Sequence, residues 1–235
     1  METKLFLLLF ALVSVRSWPA AAFPVWLDGP PNSGTNTITL APGWSLIANP
    51  LFHLRGTTLR DAIPDNTVGE LFKQAPRGTV LLKFDNATQR FTRKNVFQHG
   101  RWSNPSETLA PGEGAFLFNP MRRPLAISFT GNWWSGTVSI PAGLSLISSP
   151  GPGAINFAPP PPETMPPGPF ARNGVNFNPE EGDVVYTCDH ASGRFQSHRF
   201  NNGGWDVLPS VLVGEACFVY TTNPRLIQYT GPWPR

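Results

Sequence analysis

The amino-acid sequence predicts an all-β chain of two tandem homologous units, each a small antiparallel β-barrel or sandwich of about five or six strands. Four observations lead there. Pro and Gly number 27 and 22 among 235 residues, about a fifth against a usual ~12%. Inside a helix they cost about 3 and 1 kcal/mol each, which excludes long helices, coiled coils and multi-span membrane bundles. The 17 Phe and 8 Trp carry enough apolar area for a core, which excludes disorder throughout. Short segments with an apolar residue at every second position, closed off by Gly, Pro and Asn, recur along the chain. The C-terminal half also repeats the N-terminal half in register.

Leu5 to Val15 is an apolar run between Lys4 and Ala20-Ala21-Ala22. This is the layout of a secretory signal peptide over 1–22, with cleavage near Ala22–Phe23. The run is shorter than the ~20 apolar residues of a membrane span, and no later stretch approaches one; an uncleaved N-terminal anchor is the rival reading. The chain is expected to be secreted, periplasmic or held at the cell surface, so Cys188 and Cys217 meet an oxidising compartment. Residues 23–36 form a polar lead-in containing Gly and Pro, and unit 1 spans 37–131. In unit 1, Val80, Leu82 and Phe84 share a strand face, as do Phe116 and Phe118, and Leu125, Ile127 and Phe129. Each face is read as pointing inward. The insertion 51–77 holds Thr67-Val-Gly-Glu70 before Leu71-Phe72, a capping box that predicts one short helix. Residues 132–136 are a joint so short that the halves are expected to touch, with room for a pseudo-two-fold interface. Unit 2 spans 137–231, with Val184, Tyr186 and Cys188, then Phe218 and Tyr220, at the matching strand positions. Its insertion carries Ala158-Pro-Pro-Pro-Pro162 and Pro166-Pro167-Gly-Pro169, which reads as an extended, exposed loop. Residues 232–235 are a tail.

Anchored blocks carry the repeat. Thr37-Ile-Thr-Leu-Ala-Pro-Gly-Trp-Ser-Leu-Ile-Ala-Asn-Pro50 lies over Thr137-Val-Ser-Ile-Pro-Ala-Gly-Leu-Ser-Leu-Ile-Ser-Ser-Pro150 without a gap. Gly78 to Asp85 lies over Gly182 to Asp189, Arg90-Phe91 over Arg194-Phe195, and Phe97 to Trp102 over Phe200 to Trp205. Gly112 to Phe118 lies over Gly214 to Tyr220, and Phe129-Thr-Gly131 over Tyr229-Thr-Gly231. Blocks in one order, with small shifts at turns, predict a duplication. The segments Gly43-Trp-Ser-Leu-Ile-Ala-Asn-Pro50 and Leu109-Ala-Pro-Gly-Glu-Gly-Ala-Phe116 resemble a family of uncharacterised secreted bacterial tandem β-repeat proteins. That family pairs a "GWSLIANP"-like strand with a "PGEGFF"-like strand, often twice per chain. Unit 2 departs from the pattern at Leu144 and at Gly214-Glu-Ala-Cys217. The resemblance implies a β-rich exported protein and brings no catalytic activity with it.

The charges divide unevenly. Residues 37–131 hold 11 Lys/Arg and 6 Asp/Glu, a net of +5, whereas 137–231 hold 4 and 7, a net of −3. The densest basic cluster, Arg90, Arg93, Lys94 and Arg101 with Arg122 and Arg123 nearby, reads as a solvated strand face and not as a nucleic-acid footprint. The asymmetry also raises electrostatic docking between the halves. Glu113 matches Glu215 and Asp85 matches Asp189, beside Gly and strand ends. These acids read as turn-formers that accept backbone N–H groups. Glu107, Glu180, Glu181 and Asp206 are unmatched; a glycosidase needs two such acids flanking one sugar bond, and nothing in the spacing selects a pair. His53, His99, His190 and His198 lack zinc-type spacing, although His190 and His198 straddle a hairpin. Nucleophile-elbow, phosphate-loop and dinucleotide fingerprints are absent, so the sequence implies no metal and no cofactor. Asn86-Ala87-Thr88 is a lone sequon.

Cys188 and Cys217 either close a disulfide or serve as core residues, and both readings stand at this point. Trp102 and Trp205 match and read as core. Trp133 and Trp134 in the joint, with Trp44, are the candidate ligand-binding residues, because apolar sugar faces stack on exposed aromatic rings. The alternative is that Trp133 and Trp134 wedge the units together. The expectation is an exported, non-catalytic protein of the cell surface or extracellular matrix with structural or adhesive contacts to polysaccharide or another surface protein. A carbohydrate-binding module with exposed Trp residues is the alternative, and a secreted hydrolase stands behind both.

Overall fold

The structure is a computed structural model that describes residues 33–55, 63–133, 136–149, 154–158, 174–189 and 194–230. The signal-peptide region, Trp134, the proline-rich loop, His190 and the tail lie outside the described residues. The first half contains β1 (Ser33–Leu40), β2 (Gly43–Ala48), β3 (Leu54–Arg55), β4 (Ile63–Pro64), α1 (Val68–Leu71), β5 (Val80–Asp85), β6 (Arg90–Phe91), β7 (Asn95–Gln98), β8 (Arg101–Trp102), β9 (Gly114–Asn119) and β10 (Leu125–Asn132). The second contains β11 (Gly136–Ile140), β12 (Gly143–Ser148), β13 (Ile155–Asn156), β14 (Gly174–Asn176), β15 (Val184–Asp189), β16 (Arg194–Asn201), β17 (Gly204–Trp205), β18 (Ala216–Thr221) and β19 (Arg225–Thr230). Among the described residues no helix is long and apolar enough to cross a membrane.

The chain is all-β, in several sheets. One has the order β2-β9-β5-β7-β8, with β6 paired to the end of β5; another has the order β12-β18-β15-β16-β17. β1 pairs with β10, β3 with β4, and a fourth group runs β11-β19-β14-β13. Every pairing is antiparallel except the short β13–β14 contact, which is parallel. None of these sheets closes on itself, so the barrel alternative gives way to stacked layers.

Each half has its own core. In the first, Leu40 of β1 and Phe129 of β10 meet Ile47, Leu81, Ala115 and Leu117 of the larger sheet, with Val68 and Phe72 of the α1 segment closing the end. Thr67 caps α1, its side chain accepting the Glu70 N–H, as the capping box predicts. Glu70 does not return the bond; it pairs with Lys73, and the Thr67 N–H goes to Asp65. In the second half Ile140, Ile147, Phe157, Phe177, Val185, Cys217, Val219 and Ile227 form the matching layer.

A third core lies between the two larger sheets. Leu46 and Ala48 of β2 are buried against Leu146 of β12 and Ala216 and Phe218 of β18, with Phe84, Phe116, Leu144, Tyr186 and Cys188 around them. Two reciprocal backbone bonds pin it: Ala48 N–H donates to the Gly214 carbonyl at 2.9 Å, and Ser148 N–H to the Gly112 carbonyl at 3.1 Å. The sheets approach so closely at Gly114 that a Cβ there would lie 2.7 Å from both Ala216 Cβ and Leu146 Cγ.

This third core corrects the expected strand faces. Val80, Leu82 and Phe84, with Phe116 and Phe118, do not point into the first core; they are half-buried on the opposite face, and Leu81, Ala115 and Leu117 point inward. A strand covered on both sides is apolar on both sides, so alternation there does not say which face is inside. Ile127 and Phe129 do face the first core, where Phe129 is fully buried, and Leu125 lies on the same face of the strand by alternation.

Candidate functional site

The face that builds the third core continues past the buried contact into solvent, where it carries an aromatic cluster. Phe116 is its floor. Phe91 lies 5.8 Å from the Phe116 ring, Trp44 6.4 Å and Phe195 6.5 Å. These three surrounding rings are 51%, 43% and 49% exposed. Phe118 packs on Trp44 at 5.2 Å, Phe84 lies under Phe91 at 5.3 Å, and Phe218 reaches Phe84 and Phe116 from the second sheet at 5.4 and 6.0 Å. Register explains the assembly. Trp44 sits opposite Phe118, Leu46 opposite Phe116, and Phe84 opposite Phe91, so all these side chains share one face. Phe195 comes from β16 and joins only because the sheets are docked. An exposed patch of large rings at a junction of two layers is the kind of surface that makes contacts.

Two amides lock the junction. Gln89 Nε2–H donates to the Leu144 carbonyl at 2.6 Å, and its Oε1 accepts the Leu144 N–H at 2.8 Å. Asn86 treats Leu146 the same way, at 3.3 and 2.8 Å. The outer edge of β12 is therefore closed by side chains that imitate a neighbouring strand. The corresponding loop reads Asp189-His-Ala-Ser-Gly-Arg-Phe195 against Asp85-Asn-Ala-Thr-Gln-Arg-Phe91, so both clamping amides are replaced there, by His190 and Gly193.

The other candidate residues fall as follows. Trp44 is at the exposed cluster. Trp133 is half-buried and packs against the first core, its ring over Gly34, where a Cβ would lie 3.1 Å away. That places it as a packing residue, and Trp134 lies outside the described residues. Trp102 is buried with its indole N–H on the Phe72 carbonyl at 3.1 Å, and Trp205 repeats this on the Phe157 carbonyl at 2.7 Å. Cys188 and Cys217 are free thiols. Tyr186 stands opposite Phe218, so Cys188 shares the third-core face with them, whereas Cys217 points to the second core on the other side of the sheet. Two residues on opposite faces cannot bridge, so the disulfide alternative is corrected. Burial pushes both thiols up, Cys217 far above the usual range.

The acids are occupied in turns. Glu113 accepts the Ala110 N–H at 2.8 Å and Glu215 accepts the Leu212 N–H at 3.0 Å, the same contact three residues back. Asp85 accepts the Ala87 and Thr88 N–H groups and the Thr88 hydroxyl, and that hydroxyl is the main cause of its lowered pKa. Glu107 accepts from Asn95 Nδ2 at 2.8 Å. Glu181 accepts the Asn202 and Gly203 N–H groups. Asp206 accepts those of Arg199 and Val207. Glu180 and the buried Asp183 both hold Arg225, bidentately in the case of Asp183, at 2.7 and 3.0 Å. His198 is buried, with Nδ1 on the Val207 carbonyl and Nε2 at the Thr187 hydroxyl, both at 3.0 Å. Since the carbonyl only accepts, Nδ1 donates to it. This side chain ties β16 to the loop after it.

Phe91 and Phe195 enter the sequence reading only as anchors of the repeat. Their signal is a large aromatic kept next to an Arg just after a turn in both halves. No protein family, curated protein or solved structure matches the chain.

Proposed function

We propose that the chain is an exported, non-catalytic β-repeat protein of the cell surface or extracellular matrix, built from two copies of one unit and acting through structural or adhesive contacts. The observation that carries the reading is the exposed cluster of Trp44, Phe91 and Phe195 around Phe116. Large rings held on a rigid sheet offer contact area at little conformational cost. The acids support the non-catalytic side of the reading, because Glu107, Glu181 and Asp206 already serve backbone or amide groups of neighbouring turns.

Two copies are supported by the backbone as well as by the sequence blocks. The strand order β2-β9-β5 has its counterpart in β12-β18-β15. Gly43↔Asn119 to Ala48↔Gly114 has the register of Gly143↔Thr221 to Ser148↔Ala216. Positive φ recurs at the matched pairs Gly43/Gly143, Gly78/Gly182, Gly112/Gly214, His99/Asn202 and Gly100/Gly203. Export is supported by the signal-peptide pattern of residues 1–22 and by the family resemblance.

The test is surface retention. The full chain, expressed with its leader, is expected in the cell-surface or matrix fraction. The variant Trp44→Ser/Phe91→Ser/Phe195→Ser is expected in the medium, with unchanged far-ultraviolet circular dichroism. Equal retention of the two proteins would sink the reading.

A further inference from the structure

The same face of the second sheet, beyond the buried contact, differs in chemistry from its counterpart. In the first sheet Val80 stands opposite both Phe118 and Val96, with Leu82 two residues along. In the second, Val184 stands opposite both Tyr220 and Arg199, with Tyr186 two residues along and opposite Ser197. At matched positions Leu82, Phe118 and Val96 have thus become Tyr186, Tyr220 and Arg199. Each change adds a polar tip to a side chain that keeps an apolar body. Tyr220 is 43% exposed, Arg199 and Ser197 are exposed, and Tyr186 is half-buried at the rim of the third core. Phe195, opposite Cys188, ends the strip.

We infer that this strip is a binding site for a neutral glycan chain. The side chains stand on three adjacent strands, β16, β15 and β18, which spaces its outer rows by about 10 Å. Tyrosine rings receive the apolar face of a pyranose, while two phenols, a hydroxyl and a guanidinium fork bind its hydroxyl groups. Charge argues for a neutral ligand: residues 137–231 carry a net of −3. Asp206 also stands close to Arg199, its carboxylate accepting the Arg199 backbone N–H at 3.0 Å. A polyanion would meet that field unfavourably. The strip shares Phe195 with the aromatic cluster around Phe116, but Tyr186, Arg199 and Tyr220 are not among the rings that carry the surface-contact reading, so either can fail without the other.

Native affinity gels containing a soluble β-glucan, a xylan or a galactomannan test the assignment with the full chain. Retardation by at least one of them is expected. Arg199→Val and Tyr186→Leu, which restore the residues of the first sheet, are expected to weaken it about tenfold each, and Tyr220→Phe, which removes one hydroxyl, several-fold. Arg122→Ala, on the exposed basic surface of the first half, is expected to leave it unchanged, and circular dichroism and melting curves show that each variant is folded. Three results would each overturn the inference. These are no retardation by any of the three polysaccharides, undiminished retardation of folded Tyr186→Leu/Arg199→Val, and binding instead to heparin or single-stranded RNA that fades with salt.

Discussion

Asn86 and Gln89 hold the edge of β12 with four short contacts to the backbone of Leu144 and Leu146, and this decides what either residue tolerates. Leu146 is buried, so removing its partner leaves backbone groups without water to replace it. Asn86→Ala/Gln89→Ala is expected to lower stability by about 2–4 kcal/mol in urea titration. The Nδ2 that Asn86 gives to Leu146 is also the atom that an N-glycan would occupy in Asn86-Ala87-Thr88. Clamp and glycan therefore compete for that nitrogen and for the space beside β12. Secretion from a glycosylating host is expected to yield a folded fraction with Asn86 bare by mass spectrometry. A folded fraction fully modified there, with an unchanged melting temperature, would contradict the clamp. At the base of the same loop the Thr88 hydroxyl holds the Asp85 carboxyl below its usual range. A lowered folded pKa stabilises above the unfolded value and is lost as pH falls through the folded one. The loop is thus expected to loosen only in acid, below about pH 4.

Among the elements, β19 and the loop before β15 are joined by a buried ion pair. Asp183 is fully buried and bidentate with Arg225, whose guanidinium also lies 5.3 Å from the Phe177 ring centre. The corresponding positions are Thr79, whose hydroxyl donates to the Pro76 carbonyl, and Leu125. Burial pushes the Asp183 carboxyl up even with Arg225 against it. Arg225→Leu alone strands that carboxyl and is expected to cost about 3–5 kcal/mol. Asp183→Thr/Arg225→Leu, which reinstates the first half's solution, is expected to recover most of the loss, and additive losses in the double-mutant cycle would refute the coupling. In Arg225→Leu the folded carboxyl binds its proton more tightly than the unfolded one, so the stability of that variant falls as pH rises. The sequence alone gives no sign of this pair, since Asp183 and Arg225 lie far apart in the chain and meet only through the register of distant strands. What is legible locally is legible well: the capping box at Thr67, the turn acids Glu113 and Glu215, and the matched Trp102, buried, and Trp205, half-buried, each with its indole N–H on a backbone carbonyl. β5 and β9 are legible as strands but not in orientation, because both of their faces are apolar. The cluster around Phe116 is half legible. Trp44 stands out as a candidate, whereas Phe91 and Phe195 acquire a role only once two sheets are docked.

For the whole molecule, the third core determines how the halves unfold. Leu46, Ala48, Leu146, Ala216 and Phe218 are buried by contact between the sheets and by neither half alone. Opening the junction would expose them and break the reciprocal bonds at Ala48 and Ser148. Neither half then loses its structure without uncovering the other's apolar face, so a single calorimetric transition with equal calorimetric and van't Hoff enthalpies is expected. Leu46→Ala/Leu146→Ala cuts two methyl-rich side chains from this layer at about 2–5 kcal/mol each, while the two inner cores keep their own residues. The double variant is therefore expected to show two resolved transitions. The uneven charge of the halves, +5 and −3, offers a competing reason for docking. The two reasons part in salt, because exposed charges are screened at 1 M over about 3 Å whereas apolar and amide contacts are not. A single transition that persists at 1 M NaCl and splits in the double variant assigns the junction to packing. Splitting by salt with the double variant left cooperative would assign it to charge.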